Sequence, residues 1–288
     1  MAFSFSRDDH SISKSVRKLV RKRLEASRNL MLDPNRAQGE KVRELRKNVK
    51  KTRALLRLVE PHFKAFAAED TALRDAARLI SDLRDADALA LTFDRVARHT
   101  HLPATTLAAL RETIVTPSHA PDAAEAETLL KEHLAAIVAV ENRIKGWKIA
   151  AHGFDAMSDG LEKTWTAAQK AMRRALAEPT GDHLHAWRKR VKDHWYHARL
   201  LAPIWPEMMA HHVAAADTLG ETLGEARDLA LLIAALGDRP DAGEMAAAAV
   251  EDEQSLLTNA GALGARFLSE PAAGLARRWR GWWDIWRD

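Results

Sequence analysis

The sequence predicts an all-α protein made of two helical bundles that arose by internal duplication. Three observations predict this fold: a composition dominated by helix-forming residues, periodic segments separated by prolines, and a basic segment that occurs twice. Ala, Leu, Arg and Glu favour helices, and no stretch shows the alternation of apolar and polar residues that is typical of strands. Helices are therefore the expected elements along the chain.

The ten prolines separate ten predicted helices. Proline lacks a backbone N–H and its ring clashes with the preceding turn, so a helix ends near each one. The 288 residues, 47% of them hydrophobic, are sufficient to bury a substantial core. The predicted helices cover residues 10–31, 40–60, 64–100, 104–115, 122–150, 157–177, 182–202, 206–237, 241–268 and 271–287.

The composition excludes several classes of protein. The chain has no cysteine, so disulfides, cysteine-ligated zinc, iron–sulfur clusters and thiol nucleophiles are excluded. The first 20 residues lack the apolar core of a signal peptide, and no run of 18 apolar residues occurs. We expect a cytoplasmic protein without a transmembrane segment.

Two basic segments align at a fixed distance along the chain. Each basic segment is followed by an Arg-Asp pair, Arg84-Asp85 in the first half and Arg227-Asp228 in the second, and the two pairs are 143 residues apart. Such a repeat indicates two copies of one supersecondary unit. The sequence therefore predicts an N-terminal bundle over 1–150 and a C-terminal bundle over 151–288, related by pseudo-twofold symmetry. Seven identities at an offset of 142 support this alignment: Arg46 with Arg188, Lys47 with Lys189, Val49 with Val191, Lys50 with Lys192, Arg57 with Arg199, Leu58 with Leu200 and Pro61 with Pro203.

The net charge of +4 hides a strong asymmetry. Residues 14–57 carry 16 Lys and Arg against 4 Asp and Glu, and residues 163–199 carry 9 against 3. The rest of the chain is therefore acidic, with a net charge of −14. A basic segment within an acidic remainder points to an anionic partner, either inside the protein or outside it.

In the first basic helix, cations recur every three or four residues and form one stripe. Residues at this spacing share a helix face. In the second copy a tryptophan, Trp195, replaces Arg53. Cations at helical spacing in the helix before each stripe could line the same groove. The first stripe contains Arg43, Arg46, Lys50, Arg53 and Arg57, the second His185, Arg188, Lys192 and Arg199, and the preceding helices add Lys14, Lys18, Arg21, Arg28, Lys163, Lys170, Arg173 and Arg174.

The stripes have two interpretations. A basic helix is usually a solvated face with acids one turn away, but Glu44 is the only acid within residues 41–57. The repulsion must be offset either by acidic residues of neighbouring helices or by an external polyanion. Two such stripes in duplicated halves favour a ligand.

Inorganic polyphosphate suits the stripes better than nucleic acid, and nonspecific nucleic-acid binding is the alternative. Arg and Lys bind phosphate oxygens, and such binding carries little sequence information. Proteins that bind single strands also use aromatic side chains to stack bases, and the first stripe has none. In the second copy, we expect at least one of Trp187, Trp195 and Tyr196 to lie in the core.

At these residues the chain resembles a known family. The pattern His185-x-x-Arg188-x-x-x-Lys192, followed by Trp195-Tyr196 and by residues 223–228 (Leu-Gly-Glu-Ala-Arg-Asp), is similar to the CHAD domain, the conserved histidine α-helical domain. The resemblance covers roughly residues 10–287. It implies two helical bundles around a central basic groove or pore, and binding of inorganic polyphosphate with targeting to polyphosphate granules. It also implies that the protein is not an enzyme.

Two departures from the family matter. Arg43 stands at the first-half position of the signature histidine, so this half would remain charged where a histidine titrates. The family is often joined to a CYTH triphosphatase module, whose Glu-x-Glu-x-Lys motif does not occur here. We therefore expect a stand-alone CHAD protein without hydrolase activity.

Metal-dependent phosphohydrolysis is a weaker alternative. Asp82, Asp85 and Asp87 lie close in sequence and could hold magnesium, but in the second half Ala230 stands at the position of Asp87. We expect Asp85 and Asp228 to orient basic neighbours instead. The thirteen histidines do not show a metal-site spacing such as His-Glu-x-x-His. No metal or cofactor is expected.

The last predicted helix carries a tryptophan stripe flanked by arginines. Trp279, Trp282, Trp283 and Trp286 recur at a spacing of one, three or four residues. The simpler interpretation is a terminal helix that docks on the bundle. The alternative is an interface for a membrane surface or a partner chain.

The predicted polyphosphate ligands follow from the stripes, their flanking helices and the resemblance. They are Lys18, Arg21, Arg43, Arg46, Lys47, Lys50, Arg53, Arg57, Arg84, Lys170, Arg173, Arg174, His185, Arg188, Lys189, Lys192, Arg199 and Arg227, with Asp85, Asp228 and Tyr196 bracing them.

Overall fold

The computed structural model describes residues 3–115 and 122–288, except for the side chains of Asp82 and of residues 84–88. Within these ranges it contains eleven α-helices and no strand. The all-α prediction is confirmed. The helices are α1 Ile12–Leu32, α2 Gln38–Leu58, α3 Phe66–Leu79, α4 Asp82–Ala97, α5 Ala104–Val115, α6 Ala123–Arg143, α7 Asp155–Ala177, α8 Gly181–Leu201, α9 Pro206–Leu236, α10 Gly243–Phe267 and α11 Ala272–Arg287.

One predicted helix, 64–100, is wrong because the chain breaks at Ile80 and Ser81 into α3 and α4. Ile80 is fully buried in a cluster with Val42 and Leu45 of α2. The break lets α3 pack on α2 and α6, while α4 packs on α9. Neither glycine nor proline occurs at this point, so the sequence gives no local signal for it.

The helices form two groups that share a core. The first group is α1, α2, α3 and α6, and the second is α7, α8, α9 and α10, with α11 packed on α7. The largest buried cluster contains side chains of both groups, from Phe5 and Val16 to Trp165 and Trp279. The internal duplication and the boundary near residue 150 stay predictions.

A second core joins distant parts of the chain. Phe93 and Val96 of α4 and Leu110 of α5 pack against Leu229 and Leu232 of α9. These five side chains are almost completely buried. The first 115 residues therefore complete their packing on helices that come much later in the sequence.

Close contacts fix the relative position of the two basic helices, α2 and α8. Gly160 of α7 lies directly on the last turn of α2, where an added Cβ would come within 2.6 Å of the Leu58 carbonyl carbon. The ring of His197 on α8 donates a hydrogen bond of 2.8 Å from Nε2 to the Ala54 carbonyl oxygen of α2. The two helices therefore meet at Ala54 and His197.

The C-terminal helix docks on the bundle, as the simpler interpretation predicts. Trp279 and Trp283 are buried, and Trp283 contacts the rings of Phe5 and Phe154. Trp282 packs edge-on against Trp205. In the part of the chain that the structure describes, no helix combines the length and apolar character needed to cross a membrane.

Candidate anion-binding site

Some of the predicted cations lie around the contact between α2 and α8. On α2, Lys51 precedes Ala54 by one turn and Arg57 follows it by one turn. Two regions flank this contact. We call the first the Lys51 end; it consists of Arg23, Lys47, Lys51 and Arg199. We call the second the Asp193 end; it consists of Arg53, Arg57, Asp70, Lys189, Arg190 and Asp193.

At the Asp193 end, carboxylates neutralise two members of the first stripe. Arg53 binds Asp70 through two hydrogen bonds of 2.9 and 2.8 Å. Arg57 donates 3.1 Å hydrogen bonds to Asp70 and to Asp193. Burial raises the pKa of Asp70, but the hydrogen bond from Arg53 and the charges of Arg57 and Arg53 outweigh it and lower the pKa. For Arg53 and Arg57, the partners are thus internal carboxylates.

Lys189 brings a cation of the second stripe to the same end. Its side chain is exposed, and its pKa is lowered by partial burial and by the charges of Arg190, Arg57 and Arg53. Arg190 lies 3.2 Å from the second oxygen of Asp193. Cations of α2 and α8 therefore converge here.

A second group of cations lies where α8 packs on α9. Gly220 and Gly224 of α9 provide the space: an added Cβ would lie 2.5 Å from Cδ of Lys192 at Gly220 and 2.8 Å from Nε of Arg188 at Gly224. Lys192 donates hydrogen bonds to Asp217 and to Glu221, of 3.0 and 2.8 Å. Two small residues one turn apart thus let Arg188 and Lys192 lie across α9.

A cation of α2 also affects the pKa of Glu221. Burial raises its pKa, but the hydrogen bond and charge of Lys192 and the charges of Arg188 and Lys50 outweigh this effect and lower the pKa. Lys50 is exposed. We call Lys50, Arg188, Lys192 and Glu221 the Glu221 group, because the two stripes meet at this carboxylate.

The signature histidine stands among cations. Burial, followed by the charges of Arg227, Lys189 and Arg188, lowers the pKa of His185. Arg227 lies 3.8 Å from the Asp228 carboxylate, a distance that gives a weak ion pair. The bracing role of Asp228 stays a prediction.

The aromatic residues of the second stripe do not form a stacking surface. Trp187 and Tyr196 are buried, which confirms that at least one of the three aromatic residues belongs to the core; burial raises the pKa of Tyr196 to about 12. Lys192 Nζ lies 4.1 Å and Arg199 Cζ lies 4.7 Å from the centroid of the Trp195 ring. These cation–π contacts link the Glu221 group to the Lys51 end.

Other predicted ligands lie apart from these groups or have other partners. Lys18 and Arg21 line a pocket together with Lys14, Arg17 and Lys145. Arg46 donates a hydrogen bond of 3.5 Å to the Ala77 carbonyl oxygen. Lys170, Arg173 and Arg174 are exposed on α7, as is Arg43 on α2. The side chains of Arg84, Asp85, Asp82 and Asp87 lie outside the described residues.

Sequence reasoning missed the buried Lys51 and the two carboxylates that pair with the first stripe. Lys51 lies on the apolar face of α2 beside Leu55, away from the stripe spacing. Asp70 is 13 residues from Arg57, and Asp193 is 136 residues from it. The charge pattern of one helix does not reveal partners at such distances. Among the described side chains, no group of three His, Asp or Glu residues could hold a metal ion.

These features define a class of protein: a helical protein in which two basic helices cross and present their cations around one contact. A family model described as the CHAD domain matches residues 13–237. The chain therefore belongs to the CHAD-domain family, as the His185 pattern predicts. No curated protein matches the sequence.

Proposed function

We propose that this CHAD-domain protein binds inorganic polyphosphate through the cations of α2 and α8 without hydrolysing it. We further propose that its two helical groups are duplicated halves around a basic groove. The observation that carries the proposal is the hydrogen bond of 2.8 Å from Lys192 of α8 to Glu221, a carboxylate whose pKa the charges of Arg188 and of Lys50 of α2 also lower. The charges of Lys189 and Arg188 likewise lower the pKa of His185. Cations from two separate helices are thus held close together before any ligand binds.

The identity of the ligand is argued from the surroundings of these cations. A linear phosphate polymer offers anionic oxygens at each unit and needs no stacking partner. A nucleic acid offers bases that favour exposed aromatic faces, yet cations occupy the ring of Trp195. These contacts support polyphosphate over nucleic acid.

The acidic partners of the cations give the site selectivity. Lys192 is already held by Asp217 and Glu221, so an incoming anion must compete with them. A single phosphate competes poorly, whereas a polymer engages several cations at once and gains from multivalency. Long polyphosphate should therefore bind far more tightly than orthophosphate.

A competition experiment at matched salt concentration tests the ligand class. Labelled long-chain polyphosphate is displaced by unlabelled polyphosphate, single-stranded DNA or double-stranded DNA at equal concentration of phosphate groups. We expect polyphosphate to displace the label at the lowest concentration, and binding to weaken steeply with salt as counterions compete. Equal displacement by DNA would identify a nonspecific polyanion binder.

A variant and a charge-matched control test the site. Replacing Arg46, Lys50, Arg188 and Lys192 together with Ala should weaken binding by about a hundredfold or more, since each charge-assisted contact contributes strongly. The control replaces Arg98, Arg111, Lys131 and Arg266, exposed cations outside both basic segments, and should bind as the wild type does. Helical circular dichroism of both variants checks the fold.

Two further tests separate this proposal from its alternatives. Phosphate release from polyphosphate with added magnesium or manganese tests a phosphohydrolase, and we expect none above the rate without protein. A fluorescent fusion of the chain should accumulate on polyphosphate granules, and the fourfold variant of the site should not.

A further inference from the structure

We propose that the Lys51 end is a binding site for a phosphate-type oxyanion, formed by Arg23, Lys47, Lys51 and Arg199. Three elements contribute to it: α1 through Arg23, α2 through Lys47 and Lys51, and α8 through Arg199. The proposal deepens the proposed function, on which it rests for the ligand, because it assigns one end of the α2–α8 contact to a phosphate group of the polymer.

Lys51 is buried, and its ammonium lies beside the same aromatic ring as the guanidinium of Arg23. Only 9% of the residue is exposed, and its ammonium lies 5.9 Å from the centroid of the Phe3 ring. The guanidinium of Arg23 lies at the same distance from this ring. Burying an ammonium is costly without a counter-charge, so a buried lysine beside an arginine indicates a place for an anion.

The described residues do not supply that anion. Among the side chains that the structure describes, no carboxylate forms an ion pair with Arg23, Lys51 or Arg199, and Nε of Arg23 is buried without a hydrogen-bond partner. Glu44 is the acid that raises the pKa of Lys51, and it already accepts a hydrogen bond of 3.1 Å from Lys47. Three cations and one carboxylate thus act on the Lys51 ammonium.

The Asp193 end shows how the same arrangement is neutralised inside the protein. Arg57 and Arg199 are 142 positions apart, and so are Lys51 and Asp193. Arg57 of α2 binds Asp193 of α8, whereas the charge of Arg199 of α8 acts on Lys51 of α2. A lysine therefore stands where the predicted symmetry would place a carboxylate, which makes one end ion-paired and the other cationic.

The electrostatics agree with this arrangement. Burial, then the charges of Arg23, Lys47 and Arg199, lower the pKa of Lys51 to about 8, while Glu44 raises it. A bound oxyanion adds negative charge beside the ammonium and raises this pKa again. Binding near pH 8 should therefore take up protons at Lys51, and affinity should fall as the pH rises through 8.

Proton uptake is the readout that a merely structural lysine would not give. We would titrate the protein with tripolyphosphate and with long-chain polyphosphate by calorimetry at pH 8, in buffers of different ionisation enthalpy. The wild type should take up about half a proton more than Lys51→Arg, because a lysine with a pKa near the working pH is half protonated while arginine stays charged. The comparison cancels protons that the ligand itself exchanges.

Affinity completes the test. Lys51→Arg should bind within a few-fold of the wild type. Lys51→Asp gives Arg199 the carboxylate that Arg57 already has, so it should fold normally and lose affinity about tenfold or more. Lys148→Asp, the same charge change at an exposed position, is the matched control. If Lys51→Asp unfolds, Lys51→Met provides the second measurement of affinity.

The outcomes separate the two proposals. A wild type that binds neither probe contradicts the proposed function. If the wild type binds and Lys51→Asp or Lys51→Met binds equally well, the Lys51 end is not the site, although the function stands. Proton uptake that disappears in Lys189→Arg instead of Lys51→Arg would move the oxyanion to the Asp193 end and overturn the inference.

Discussion

Arg57 of α2 donates a hydrogen bond of 3.1 Å to Asp193 of α8, and this pair is one of the most deeply buried ion pairs in the described structure. It connects two basic helices that would otherwise repel each other. Breaking a buried pair costs more free energy than the pair contributes, because the remaining charge is left without a partner.

Replacing Asp193 with Ala should therefore destabilise the protein strongly. We expect the free energy of unfolding to fall by about 3 kcal/mol, the lower end for a broken buried pair. Arg190 loses its carboxylate, whereas Arg57 keeps Asp70 as a partner. Urea unfolding followed by circular dichroism measures the change. Asp75→Ala is the control, because Asp75 pairs with Arg74 on the exposed surface and such pairs contribute little. Equal effects of the two substitutions would contradict the structural role of Asp193.

Gly224→Ala should separate binding from stability. An added Cβ would meet the flexible end of Arg188, so this side chain moves aside and polyphosphate binding weakens. Stability should stay constant or rise by up to about 1 kcal/mol, since alanine favours a helix interior over glycine. Gly281→Ala, in open space on α11, should give the gain in stability alone. Unchanged polyphosphate affinity in Gly224→Ala would argue against a role of Arg188 in binding.

Gly160→Ala should lower stability, in contrast to Gly224→Ala. Its Cβ would meet the backbone of Leu58 and Arg57, with the Arg57 carbonyl oxygen at 2.7 Å. A backbone cannot move aside as a side chain does, so we expect a loss of about 3 kcal/mol in the free energy of unfolding. Thermal unfolding measures it. A melting temperature equal to that of the wild type would show that α7 and α2 are not in direct backbone contact.

Acid should destabilise the protein through buried histidines. Burial lowers the pKa of His197 and of His212 to about 4, and that of His194 well below its usual value. Because these values lie below those of the unfolded chain, the unfolded state binds more protons as the pH falls from about 6.5 to 4, and stability is lost over that range. At pH 5 the fully buried His197 alone should cost about 2 kcal/mol relative to pH 7.

Urea unfolding at pH 7 and at pH 5 measures this loss. His197→Gln keeps a hydrogen-bond donor toward Ala54 but does not titrate, so the difference between the two pH values should shrink by that amount. The same difference in His197→Gln as in the wild type would assign the acid sensitivity to other groups.

Much of the fold could be predicted because it depends on local signals. Composition and prolines fix the helical class, and the periodicity of residues 182–202 places α8 almost as observed. The break at Ile80 could not be predicted, because it depends on where α4 finds apolar surface on α9. Such a choice of packing partner leaves no mark in the nearby residues.

The candidate site, like the fold, could be predicted only in part from the sequence. The spacing of Arg53 and Arg57 shows that they share a face, but their partner Asp70 comes from another helix. The helical spacing also places Lys51 beside Leu55, and only the tertiary arrangement brings the charges of Arg23 and Arg199 to act on it. A charge pattern identifies the helix that carries cations, and packing decides which of them remain available.

The packing of α4 and α5 on α9 has a consequence for synthesis of the chain. Phe93, Val96 and Leu110 leave the ribosome well before Leu229 and Leu232 exist. At 5 to 20 residues per second, the interval is on the order of ten seconds. During this time the nascent chain exposes apolar side chains that have no partner, so a ribosome that stalls before α9 leaves a product prone to aggregate.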